Sequence, residues 1–196
     1  MKNSFKSFPA KNEPAFIIAE LSANHNNNFD LAVKTIETMA RSGANAVKIQ
    51  TYTADSLSLN VDNQYFGPRT EGLWKGRRPY ELFQEASLPY EWQPKLKEIA
   101  EGLGLVFFSS PFDLEAVDFL GKMGVELYKV ASPEITDIPL IEHIARRGKP
   151  IIFSTGLADI SDIDLAITVS KNNGNEQLAL LKCTSQRSEE RRIGKA

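Results

Sequence analysis

The chain has 196 residues, 42% of them hydrophobic, and a formal net charge of −2, so it has ample material for a buried core. Near charge balance supplies no electrostatic reason to expect nucleic acid or an anionic membrane as partner, and no apolar run approaches the roughly 20 residues of a membrane span. Cys183 is the only cysteine, which rules out an internal disulfide and points to a reducing cytoplasm.

Residues 1–14 carry charge, Pro9 and Pro14 but no period and no apolar core of a secretory signal, and read as a lead-in. AFIIAE (15–20) reads as a short buried strand, followed by the polar loop LSANHNNN, whose asparagines suit turns. Residues 30–42 form the first helix, with Leu31, Ile36, Met39 and Ala40 as its apolar stripe and Gly43 as its stop. NAVKIQ (45–50) is the second strand. Residues 51–90 form one long excursion rich in Asp, Asn, Gly and Pro, in which Trp74 could cover a ligand.

A helix follows with Trp92, Leu96, Ile99 and Leu103 at near-helical spacing and Pro94 in its first turn. LVFFSS (105–110) is the third strand, and Asp113 caps the next helix, which turns Leu114, Val117 and Leu120 inward. ELYKVA is the fourth strand, then a helix over 137–147 stopped by Gly148. PIIFSTG (150–156) is the fifth strand, Ser161 caps a further helix with Asp164 at the capping-box position and Ile163, Ala166 and Ile167 inward, and LALLKCTS (178–185) is the sixth strand.

Six buried strands alternating with helices imply a parallel sheet with right-handed crossovers. The loop after the first strand contains no glycine, hence no dinucleotide fingerprint, and polar residues follow every strand instead of clustering at one switch point. Both facts favour a (β/α)8 barrel over an open doubly wound sheet.

In such a barrel the strand C-terminal ends share one face. The exits collect Glu20, Lys48, Gln50, Ser109, Ser110, Lys129, Ser132, Glu134, Ser154, Thr155, Lys182, Thr184 and Ser185. Lysines and hydroxyls there suit a phosphate or a phosphorylated carboxylate. Glu20 and Glu134 could serve as acid and base, or one could help hold a metal. His143 reads as a surface or packing residue and Cys183 as a small buried core residue. Trp92 reads as helix core, and His25 is balanced between ligand and structural roles.

AELSANHNN, AVKIQT, FFSSPFD, YKVASPEITDIPLI, GKPIIFSTG and LLKCTS resemble, in order, successive motifs of the sialic acid synthase family. AELSANH, LWKG, SSPFD and ASPE are most similar to the branch that makes pseudaminic acid, with the N-acetylneuraminate branch as the alternative. The resemblance implies condensation of phosphoenolpyruvate with an open-chain 2,4-diacetamido-trideoxy hexose (N-acetylmannosamine in the alternative), with release of phosphate. It places Lys48, Gln50, Ser110, Ser132, Ser154, Thr155 and Ser185 at the substrates, with Glu20, Lys129 and Glu134 as the catalytic set. A divalent metal, Mn2+ or Mg2+, and a homodimer belong to the full-length family.

After CTS the family continues with an aromatic residue and proline, whereas this chain reads QRSEERRIGKA, with Arg187 at the place of a tyrosine. The expectation is therefore a partial TIM barrel over 15–185, strands one to six with the last two missing, and a tail at 186–196 unrelated to the fold. The metal-binding histidines and the C-terminal antifreeze-like domain would lie beyond its end. Such a chain would hold no metal firmly. It would be catalytically inactive, at most a phosphate-binding fragment.

Overall fold

The computed structural model describes residues 8–9 and 12–183, so Thr184, Ser185 and the 186–196 tail lie outside the described residues. The chain sorts into two compact units, Met1–Lys129 and Val130–Ala196.

In the first unit, β1 (Ile18–Glu20), β2 (Ala46–Thr51), β3 (Val106–Pro111) and β4 (Tyr128–Val130, which crosses the boundary) are neighbours in sequence order. All pair parallel, with Glu20 beside Lys48, Gln50 beside Ser110 and Ser109 beside Tyr128. β2 and β3 are buried almost throughout, as parallel strands covered on both faces must be. β1 is shorter than the 15–20 expectation and only half-buried, and its Glu20 is exposed.

Helix α1 (Phe29–Arg41) starts where the Asn28 side chain accepts the Leu31 N–H at 2.9 Å. It ends at Gly43, whose φ of +86° suits a residue without a Cβ. Ala32 and Ile36 form its buried stripe; Leu31, expected inward, is exposed. A first-turn side chain leans back toward the helix start and slips off the packed face.

The excursion holds two short helices, α2 (Ala54–Leu57) and α3 (Pro79–Ala86). A 3-10 turn at Tyr90–Trp92 leads into α4 (Gln93–Gly102), where Leu96 and Ala100 are buried and Leu103 is exposed. Trp92 is half-buried, edge-on to Phe29 at 5.5 Å. In α5 (Leu114–Met123), Asp113 caps as expected by accepting the Ala116 N–H at 2.6 Å, and Val117 and Leu120 are buried. Leu114 points outward instead, again at a first-turn position.

In the second unit a 3-10 turn (Pro133–Thr136) precedes α6 (Ile138–Ala145), capped by Asp137. β5 (Ile151–Ser154) is buried and pairs parallel with β6 (Leu178–Leu181). β6 was expected to be buried, yet Leu180 and Leu181 are 47% and 39% exposed. Helix α7 (Ile160–Asn172) lies between them in sequence, and its cap corrects the Ser161 expectation. Asp159 accepts the Asp162 N–H at 2.9 Å while Asp162 accepts the Asp159 N–H at 3.0 Å, and the Ser161 hydroxyl donates to Asp159. Ala166 and Ser170 are its buried side chains; Ile163 and Ile167 are half-buried.

Six parallel strands with helices between them make this the (β/α)8-barrel class of α/β fold, represented by strands one to six. No described helix is long and apolar enough to cross a membrane.

Candidate active site

Residues opposite one another in a parallel ladder share a face, and alternate residues along a strand share it too. Register thus puts Glu20, Lys48, Gln50, Phe108 and Ser110 on one face of the first unit's sheet. Lys129 follows Tyr128, the partner of Ser109, and joins that face beside Ser110. The opposite face belongs to the helical layer. There Thr51 Oγ1 donates to Gln93 Oε1 of α4 at 2.8 Å and meets Ser109 Oγ at 2.6 Å. Ser109 is therefore structural, although its sequence position at the strand exit equals that of Ser110.

The site face is unusual in its burial. Lys48 is only 4% exposed and Lys129 8%. Burial pushes the Lys48 ammonium below the ordinary lysine range, and the Glu20 carboxylate works against that shift. Their Nζ–Oε1 distance is 3.5 Å, longer than a strong charge-assisted hydrogen bond, and the Glu20 side chain is 53% exposed. Lys48 is thus a buried cation with loose compensation. The Ser110 hydroxyl is buried and has no hydrogen-bond partner among the described residues. An anion carrying several oxygens would compensate the charge and accept from the hydroxyl together.

Gln50 is held by Ser22, whose hydroxyl donates to Gln50 Oε1 at 3.3 Å from a backbone at φ +50°. Asn26 and Asn27 also occupy the left-handed region, the turn role that the asparagine run announces. His25 is fully buried; its Nδ1 accepts the Asn27 N–H at 3.1 Å, which leaves the proton on Nε2. Burial lowers its pKa, with the Ala86 backbone opposing, so it stays neutral and organises the loop.

Beyond Gln50 opens a cavity of about 630 Å³, walled by Ala23, Asn26, Tyr52, Arg69, Trp74 and Phe83 among others. Only Trp74 of these carried a ligand expectation from sequence. Arg69 and Tyr52 lie in an aperiodic stretch that offers no pattern to single them out.

In the second unit the Ser132 hydroxyl accepts the Gly156 N–H at 2.7 Å, and Thr155 Oγ1 donates to the Leu181 carbonyl at 3.1 Å. Both side chains thus shape the β5 exit; the Ser132 hydroxyl keeps its donor proton and Thr155 keeps its acceptor lone pairs. Ser154 is buried at the end of β5, and Glu134 sits half-buried in the 3-10 turn after β4. Lys182 is exposed and Cys183 half-buried, not buried as expected; Ser185 lies outside the described residues. His143 is half-buried and meets Arg147 at 2.9 Å.

Among the described residues no three His, Cys, Asp or Glu side chains gather as a metal site. Glu20 faces an ammonium, not a second carboxylate. These residues do not by themselves fit a divalent cation, and no chemical step is assigned to one.

The fold and the site together define an α/β-barrel protein that carries buried lysines and a buried hydroxyl at its strand exits. The chain belongs to the NeuB family, whose sequence profile matches residues 35–189. It is 45% identical over 170 residues to a pseudaminic acid synthase of Campylobacter jejuni, covering 87% of this chain and 49% of that protein. A pseudaminic acid synthase of Helicobacter pylori is 43% identical over 173 residues, covering 88% and 51%. The crystal structure of an N-acetylneuraminic acid synthetase from Leptospira borgpetersenii, in complex with citrate, matches with a TM-score of 0.76 at 29% identity, over 92% of this chain and 60% of that one. The chain spans about half the length of the curated relatives it matches.

Proposed function

We propose that this chain carries phosphoenolpyruvate-binding and aldehyde-binding residues of a nonulosonic acid synthase of the pseudaminic acid type. In that reaction C3 of phosphoenolpyruvate bonds to the aldehyde carbon of an open-chain 2,4-diacetamido-trideoxy hexose. Water adds at C2, and the C2–O bond breaks to release phosphate. The observation that carries the reading is the buried Lys48 ammonium on one face with Lys129 and the buried Ser110 hydroxyl, which has no hydrogen-bond partner among the described residues. Three donors of this kind would bind a phosphate and a carboxylate, and 45% identity to a pseudaminic acid synthase favours that branch.

In the first unit Lys48, Ser110 and Lys129 would hold phosphoenolpyruvate with Gln50 at its border; in the second unit Ser132, Ser154 and Thr155 are the positions that the family resemblance assigns to substrate. Glu20 would stand at the aldehyde and Glu134 would move the proton at the reacting carbons.

The test incubates the 196-residue chain with phosphoenolpyruvate, Mn2+ and each acceptor in turn, following free phosphate and product mass. Phosphoenolpyruvate binding without turnover is the result expected of this chain; phosphate release that depends on the 2,4-diacetamido-trideoxy hexose would overturn its expected inactivity and favour the pseudaminic acid branch. Release driven by N-acetylmannosamine instead would move the chain to the N-acetylneuraminate branch. Phosphoenolpyruvate binding with no turnover would give it the non-catalytic, phosphate-binding role, and no binding at all would overturn the reading.

A further inference from the structure

The loop between β1 and α1, residues 21–28, concentrates backbone strain. Ser22, Asn26 and Asn27 sit at φ +50°, +47° and +53°, and among the described residues no other residue with a side chain has a positive φ. Turns of this kind persist only where their surroundings over-determine them. Leu21 and His25, both 0% exposed, are the loop's two buried side chains; the others are half-buried or exposed. The Leu21 N–H donates to the Lys48 carbonyl at 3.0 Å, which ties the loop's first residue to β2. His25 is the second anchor. Its Nδ1 accepts the Asn27 N–H at 3.1 Å, its carbonyl accepts the Asn28 N–H at 2.8 Å, and its ring stands edge-on to Trp92 at 6.2 Å. Asn27 carries the turn on to α3, where its Nδ2 donates to the Glu85 carbonyl at 2.9 Å.

One side chain of this loop reaches the site face. The Ser22 hydroxyl donates to Gln50 Oε1 at 3.3 Å, which leaves the Gln50 Nε2 donors for an anion beside Lys48 and Ser110. Ser22 makes the contact from a left-handed backbone, so its direction depends on the loop keeping its turn. An imidazole meets both needs of the buried position, an acceptor for the Asn27 N–H and an apolar ring against Trp92. A proton added at Nδ1 would set donor against donor and bury a charge. The ionisable groups on the surrounding elements do not offset that charge. Asp30 of α1, Glu85 of α3 and Glu91 of the 3-10 turn are exposed, Tyr90 packs on Phe119, and Glu20 and Lys48 pair with each other. Burial therefore holds the ring's pKa below the usual 6.5, against the Ala86 backbone. The stability contributed by the neutral ring is present above pH 6.5 and is lost as pH falls through the folded value.

We infer that His25 is a positioning residue: its Nδ1, by holding Asn27 in the left-handed turn, keeps the Ser22 hydroxyl on Gln50 and so aims the Gln50 amide at the site face. The inference rests on the proposed synthase reading, in which Gln50 borders phosphoenolpyruvate, and adds what holds Gln50 there. Protonation of the ring releases the turn, so the same contact makes the placement of Gln50 sensitive to acid.

The test follows the 196-residue chain by NMR as pH falls from about 8 to about 5, reading the Gln50 side-chain amide, the Trp92 indole and the His25 ring. Calorimetry with phosphoenolpyruvate is run at one fixed pH above that window's step. The three signals are expected to move together in a single step below pH 6.5. His25→Asn keeps an acceptor for the Asn27 N–H, as asparagine does in an Asx turn, and does not titrate. Its Gln50 signal should match the parent's at neutral pH and stay flat, and its phosphoenolpyruvate affinity should stay within about 2-fold of the parent's. His25→Phe fills the space without the acceptor and should weaken phosphoenolpyruvate about 3- to 10-fold, as Ser22→Ala should, the size of one neutral hydrogen bond. A Gln50 amide unmoved while the His25 ring protonates, the same step in His25→Asn, a His25→Asn variant no better than His25→Phe, or a Ser22→Ala variant that binds as the parent does would each overturn the inference. Should His25→Phe fail to fold, the parent's titration and Ser22→Ala decide. Phosphoenolpyruvate that fails to bind the parent chain counts against the synthase reading, while the Gln50 titration still decides the positioning.

Discussion

At the residue scale, Lys48 concentrates the chemistry. Its ammonium is buried, and the nearest carboxylate is exposed and 3.5 Å away. A lost hydrogen bond to a charged group costs about 1.5–3 kcal/mol, and each 1.4 kcal/mol is tenfold. Lys48→Met is therefore expected to weaken phosphoenolpyruvate binding roughly 10- to 100-fold, measured by calorimetry. The pH dependence follows from the lowered pKa. As pH rises through that value toward 10.5, the folded chain loses the ammonium first, so anion affinity falls in this window. Stability moves the other way, because there the unfolded chain binds the extra proton and rising pH relieves the burial cost. A wild-type affinity flat with pH up to 10.5 would remove Lys48 from the phosphate grip.

At the element scale, helix starts show how a local code is read one step wrong. The sequence reading places the α7 cap on Ser161 with Asp164 as its partner, whereas the chain uses Asp159 with Asp162 as a reciprocal pair. Asp159→Ala is expected to lower the urea midpoint and Ser161→Ala to leave it in place. Equal effects of the two would contradict the cap. Asp113 was placed correctly, and with it a plain expectation: Asp113→Ala costs about 1 kcal/mol, from the lost bond to the Ala116 N–H. The exposure of Leu31 and Leu114 belongs to the same scale. Periodicity marks a face, but first-turn residues fall outside the part of it that a neighbour covers.

At the scale of the whole molecule, the strands differ in how fully they are covered. Phe107 of β3 is 1% exposed, and Phe107→Ala is expected to cost about 3–5 kcal/mol of stability in denaturant titrations. Leu180 of β6 is 47% exposed, and Leu180→Ala should change stability by less than ~1 kcal/mol. Exposed leucines on a strand also invite association. Leu180→Lys should accordingly reduce self-association in light scattering without lowering the unfolding midpoint. A large loss of stability in that variant would mean the side chain is covered in solution.

The sequence by itself determined the alternation of strands and helices, the parallel class of sheet, the lysines and hydroxyls at strand exits and the family. These rest on period, on chain order and on residues side by side in one strand, all of which are local. Only the tertiary structure separated Ser110 from Ser109, since facing depends on register with neighbouring strands that no single strand encodes. It alone assembled Asn26, Tyr52, Arg69 and Phe83 around Trp74, because the walls of that cavity come from loops that share no period. It also left Leu180 and Leu181 exposed in a run that reads as core. Apolar character states what a side chain gains from burial, and whether it is buried depends on what packs against it.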